Sequence, residues 1–134
     1  MSALTLDRVH YQIMLEHVLR CLPEEACGLV GGVGSRARIV LPVANRLHSR
    51  VKFEMEPREQ LKALRWLEEH GLDLVAIFHS HPHGPQSPSP TDIERFNYPP
   101  AATLIWSPRQ SEWLVQGFSI LEKHVQPVSL IWQG

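Results

Sequence analysis

The run Leu72-Asp73-Leu74-Val75-Ala76-Ile77-Phe78, continuing into His79-Ser80-His81-Pro82, decides how this chain is read. From Leu74 to Phe78 the residues are uniformly apolar, with no polar face, and Gly71 and Pro82 bound the segment. Such a stretch suits a central strand buried on both sides. Two imidazoles one residue apart follow it. In extended chain, residues i and i+2 project to the same side, so His79 and His81 present their rings together. Pro82, Gly84, Pro85, Pro88 and Pro90 come next, and so many fixed φ angles and missing donors exclude helix and strand. This stiff loop brings the chain to Asp92, eleven positions after His81. Two imidazoles and a carboxylate form a three-ligand set of the kind that holds a catalytic zinc, with the fourth tetrahedral position left for water.

Working outward, Pro57 fits the first turn of a helix that buries Leu61, Leu64 and Leu67 and closes at Gly71. Before it, Val51 to Met55 alternates Val51, Phe53 and Met55 against Lys52 and Glu54, the pattern of a half-exposed strand. Cys27 to Gly32 and Ala37 to Ala44 pair as a hairpin across Gly34-Ser35. Between Leu6 and Leu22, Tyr11, Met14, Leu15, Val18 and Leu22 recur at helical spacing, and Pro23 ends the helix. After the metal loop, a short helix starts past Pro90 with Ser89 or Thr91 as its cap. Strands over Ala102 to Trp106, Trp113 to Ile120 and His124 to Trp132 complete the chain. The order α-β-β-β-α-β-α-β-β-β specifies an α/β (α+β) fold with one mixed, mostly antiparallel sheet flanked by helices. It puts His79 and His81 just past the C-terminal end of the central strand.

A chain of 134 residues fits a single domain, 1–134, able to bury a core without a disulfide or metal staple. The net charge of −1 and the absence of a basic stripe give no basis for nucleic-acid binding. No apolar run is long enough to span a bilayer, and the N-terminus lacks the charged and apolar regions of a secretory signal. Cys21 and Cys27 form neither a C-x-x-C pair nor a disulfide framework, so the expected location is a reducing cytoplasm. Oligomeric state is not legible.

A metal-activated water needs a proton acceptor, and a leaving amine needs a proton; one carboxylate can serve both. Glu25, in Glu24-Glu25-Ala26-Cys27-Gly28, stands just before a strand able to run beside the metal loop. The set Glu-x-Cys-Gly, His-Ser-His-Pro and Ser-x-x-Asp resembles the JAMM motif of the MPN-domain family of zinc isopeptidases. The matching positions are Glu25, His79, His81, Ser89 and Asp92, with seven residues between His81 and Ser89. The resemblance covers about residues 6 to 120. It implies that His79, His81 and Asp92 ligate zinc, that Glu25 is the general base turned acid, and that Ser89 stabilises the oxyanion. It further implies cleavage of amide or isopeptide bonds after the C-terminal Gly-Gly of a ubiquitin-like or sulfur-carrier protein, as in the short bacterial stand-alone members it is similar to.

Plainer roles stand beside these. Glu24 reads as a solvated neighbour, Cys27 as a buried small hydrophobe, and His83 as a solvated loop residue. Ser89 doubles as a helix cap, and the four tryptophans read as packing. Two other functions stay open on sequence grounds: a non-catalytic MPN scaffold, and a zinc hydrolase acting on another peptide class.

Overall fold

The computed structural model describes residues 1–134. The elements are β1 (Ala3–Asp7), α1 (Arg8–Cys21), β2 (Cys27–Val33), β3 (Arg36–Val43), α2 (Pro57–Glu69), β4 (Asp73–Ser80), α3 (Pro90–Arg95), β5 (Ala102–Arg109), β6 (Glu112–Leu121) and β7 (His124–Gln133). The strands close into a barrel in the order β1-β3-β2-β4-β5-β6-β7. The β1/β3, β1/β7 and β4/β5 pairs are parallel and the other four are antiparallel. The mixed, mostly antiparallel sheet is therefore present, closed on itself rather than open. No helix is long and apolar enough to cross a membrane.

Each helix starts where its local chemistry permits. The Asp7 N–H donates to His10 Nδ1 at 3.0 Å at the head of α1, which buries His10, Met14 and Val18. At α2, Glu56 Oε2 accepts from the Glu59 N–H at 2.8 Å and Pro57 occupies the first turn, where its missing donor costs nothing. Gly71 follows with φ of +66°, a left-handed turn that suits glycine and lets the chain drop straight into β4.

β4 lies inside the sheet, antiparallel to β2 with Cys27 opposite His79, and parallel to β5 with His79 opposite Ile105. Close β2–β4 approach depends on Gly28. A Cβ there would lie 2.3 Å from Phe78 Cε1 and 2.8 Å from the Leu41 carbonyl oxygen. Apolar side chains sort onto two faces. The larger cluster, under α1, includes Leu4, Leu6, Met14, Phe78, Leu104 and Trp106. The smaller one, under α2, is Cys27, Leu29, Val43, Met55 and Ile77.

Four expectations need correction. Leu61, expected on the buried face of α2, is 51% exposed, while Leu67 is buried. Residues Ala3–Asp7 form a strand, β1, so α1 begins at Arg8 rather than Leu6; pairing with β7 outweighs the helical pattern there. Val51 to Met55 joins no ladder, and its sole strand-like contact is a bridge from Met55 to Asn45. His79 lies within β4, not past its end, and His81 follows immediately, its N–H donating to the Trp106 carbonyl at 2.8 Å.

Candidate metal centre

Four segments converge at the C-terminal end of β4. His79 and His81 are 2% and 4% exposed. Their Nε2 atoms are 3.1 Å apart, and each is 3.1 Å from Asp92 Oδ2. Asp92 is the third residue of α3, which Ser89 caps. Ser89 Oγ accepts from the Asp92 N–H at 3.0 Å, and the Ser89 N–H donates to Asp92 Oδ2 at 2.8 Å. That reciprocal pair fixes the carboxylate over the two rings.

The three-atom triangle fits a cation. Tetrahedral zinc with bonds of roughly 2.0–2.1 Å separates its ligands by about 3.3–3.4 Å, close to the 3.1 Å sides found here. The chemistry of the donors points the same way. His81 Nδ1 donates to the Pro85 carbonyl at 2.8 Å, so the neutral ring aims an Nε2 lone pair into the triangle. A carboxylate oxygen faces that lone pair, an arrangement favourable only with positive charge between them. Burial lowers the His81 pKa, but the hydrogen bonds to Asp92 and to the Pro85 carbonyl, with the charges of Asp92 and Glu25, together outweigh it and the net shift is upward. Burial pushes His79 down despite the same carboxylate. Burial likewise opposes ionisation of Asp92, yet hydrogen bonds from both imidazoles hold it well below the usual carboxylate range.

Glu25 lies near the same two imidazoles. It is 3% exposed, Oε1 has no hydrogen-bond partner, and its carboxylate lies within 4.8 Å of the two imidazole nitrogens. Two carboxylates thus stand close to the imidazoles. Asp92 is near enough to share an ion with them, while Glu25 stands farther off. Burial raises the Glu25 carboxyl to about 8, partly offset by His81 and reinforced by Asp92. Ser80, between the two histidines, pins the neighbouring peptide: its Oγ accepts from the Ala26 N–H at 2.8 Å, and its N–H donates to the Ala26 carbonyl at 3.0 Å.

A cavity of about 200 Å³ opens beside the triangle, lined by Phe53, Ile77, His79, Ser89, Phe96 and Thr103 among others. Phe53 stacks on the His79 ring with centroids 4.5 Å apart and 27° between planes. Sequence reading did not single out Phe53 or the buried Asn45 that anchors its loop; the only signal was the alternation around Phe53.

The plainer residues fall as read. Glu24 is partly exposed and meets His48 at 3.2 Å. His83 is exposed. Cys27 is buried, with burial pushing its thiol up to about 12, which removes it as a nucleophile. Trp106 is core, edge-on to Tyr11, and Trp66 stacks on His70.

The family model described as prokaryotic homologs of the JAB domain matches residues 7–116. A desampylase from Pyrococcus furiosus is 41% identical over 96 residues, covering 72% of this chain and 69% of that protein. A "Probable TtuB-protein conjugate cleaving protease" from Thermus thermophilus is 44% identical over 79 residues, 58% of this chain and 53% of its own length. A CysO-cysteine peptidase from Mycobacterium tuberculosis is 33% identical over 98 residues, 72% and 67% of the two chains. Among solved structures, a Desulfitobacterium hafniense protein superposes with a TM-score of 0.86 at 33% identity, covering 97% of this chain and 92% of that one. A JAB1/MPN domain protein from Archaeoglobus fulgidus, at 16% identity and a TM-score of 0.58 over 96% and 99% of the chains, shares the fold.

Proposed function

The chain belongs to the family of prokaryotic homologs of the JAB domain, and from that premise we propose that it is a zinc-dependent peptidase hydrolysing amide or isopeptide bonds at the C-terminal tail of a ubiquitin-like or sulfur-carrier protein. The observation that carries this reading is the pairing of the 3.1 Å triangle of His79, His81 and Asp92 with a second, buried and unpaired carboxylate, Glu25. The names of the desampylase, the TtuB-conjugate protease and the CysO-cysteine peptidase support the substrate class. Residues 1–134 are read as one domain, and the two free thiols suit a reducing cytoplasm.

His79, His81 and Asp92 would hold the metal. Zinc bound there supplies a Lewis acid, which brings the pKa of water near 7. The remaining chemistry belongs to the chain. Glu25 accepts a proton at its free carboxylate oxygen and returns it to the departing amine nitrogen, a task that favours a pKa near working pH. Burial raises the Glu25 carboxyl, and a cation held by the triangle would draw it back toward that range. Ser89 Oγ accepts from the Asp92 N–H, which leaves its own hydroxyl hydrogen to donate to the oxyanion of the attacked carbonyl. Loss of one such donor costs on the order of 10²–10³ in rate. The cavity lined by Phe53 and Phe96 takes a slim tail, for which a Gly-Gly terminus without side chains is suited.

The test is incubation of zinc-loaded protein with small carriers whose C-terminal Gly-Gly is amide-linked to an amino acid or to a lysine side chain. Release that stops with chelator and returns with zinc is expected. Folded, zinc-loaded protein that cleaves neither linkage overturns the reading.

A further inference from the structure

Asn45 is 7% exposed and uses its whole carboxamide. Nδ2 donates to the Glu25 carbonyl and to the Lys52 carbonyl, each at 3.1 Å. Oδ1 accepts from the Leu47 N–H and the Glu54 N–H, also at 3.1 Å. A primary amide has two donors and two acceptor sites, so nothing is left over. The partners come from two places remote in sequence: the peptide of Glu25, and the loop running from Asn45 to Met55.

The same loop holds the other side of the Glu25 peptide. The Glu25 N–H donates to the Ser49 carbonyl at 2.8 Å. Glu25 precedes β2 and lies outside its ladder. Both backbone polar groups of Glu25 are therefore taken by this loop rather than by a neighbouring strand. At its far end the loop carries Phe53 against the His79 ring and Met55 in the apolar cluster. One carboxamide thus ties the residue that bears the unpaired carboxylate to the wall on which a histidine of the triangle leans.

We infer that Asn45 is a positioning residue: it sets the distance of the Glu25 carboxylate from the reacting atoms by fixing the Glu25 peptide to the Asn45–Met55 loop. The inference rests on the reading above in which Glu25 moves the proton. No other residue type of this size offers two donors and two acceptors. Aspartate keeps the acceptors for Leu47 and Glu54 and loses both donors. Alanine loses all four contacts and strands buried carbonyls and amides.

Asn45→Asp is the discriminating variant. Misplacement of a reacting group by about an ångström can cost ~10²-fold in rate, so kcat is expected to fall by that factor, with KM and zinc per chain unchanged. A merely structural defect lowers zinc content or raises KM alongside. Either of those results, or an unchanged kcat, overturns the inference. Amide hydrogen exchange on the wild-type chain gives a readout that needs neither a variant nor activity. The Glu25, Leu47 and Glu54 amides are expected to open together, as one unit. Free exchange at Leu47 and Glu54 with Glu25 still protected overturns the inference whether or not Asn45→Asp folds. A wild-type chain that cleaves nothing yet opens these three amides together overturns the proposed function instead, and leaves Asn45 as the anchor of Glu25.

Discussion

Strands β2 and β4 have two unlike faces. Toward α1, Ala76 and Phe78 join a continuous apolar cluster with Leu4, Leu6, Met14, Leu104 and Trp106, all excluded from water. Toward α2 and α3, Ile77 belongs to a cluster of only five residues, and the buried places beyond it go to Glu25, Asn45, His79 and His81. The period of two along one strand makes this division possible: Phe78 and His79 are adjacent in sequence and serve opposite faces. Burying an ionisable group without full compensation costs several kcal/mol. Glu25 Oε1 and His79 Nδ1 are buried on this face without partners. The apolar face is what leaves the polar face free to hold reactive groups in a strained electrostatic state.

The sharpest way to break this contrast is to remove a ligand. His79→Ala or Asp92→Ala should abolish metal binding and reduce turnover to background, read by elemental analysis of purified protein and by conjugate cleavage. A variant that keeps stoichiometric zinc contradicts the assignment of that ligand. Next in size is Leu104→Ala on the α1 face, expected to cost about 2–5 kcal/mol in denaturant unfolding. Its kcat below the unfolding transition should match wild type, and a comparable loss of kcat would show that the two faces are not separable.

A smaller effect concerns pH in metal-free protein. Burial raises the Glu25 carboxyl from 4.5 to about 8. Across that interval the folded state keeps a proton that the unfolded chain has lost, so this group's contribution to stability falls as pH rises from about 4.5 toward 8. His17 and His79, lowered by burial, act with the opposite sign. Subtracting the Glu25→Gln profile from wild type isolates the Glu25 term. Thermal midpoints with the same pH slope in both proteins would contradict it.

What could be read from the sequence follows the range of the interactions. His79, His81, Ser89 and Asp92 lie within fourteen residues of one another, and strand period, proline stiffness and cap chemistry fix such short-range geometry. The hairpin of β2 and β3 and the helix α2 carry their own turn and cap signals. β1 does not. Its five residues become a strand by pairing along their length with β7, at the other end of the chain, and at Thr5 with β3. The stretch from Val51 to Met55 misled for a different reason. It alternates as a strand does, but the Asn45 side chain takes the Lys52 carbonyl and the Glu54 N–H that a partner strand would otherwise bind. A side chain that replaces a ladder leaves no periodic mark. Glu25 was a candidate from its place before a strand able to run beside the metal loop, and the motif resemblance gave it its role, since spacing alone does not tie residue 25 to residues 79–92.

The central claim is that the site divides into a ligand set and a separate proton-carrying carboxylate. The most direct test is kcat and zinc content of Glu25→Gln, an isosteric change in which the side chain can no longer accept and return a proton. The expected result is one zinc per chain with kcat lowered by about 10²–10⁴-fold. Near-wild-type turnover, or loss of the zinc, would contradict it.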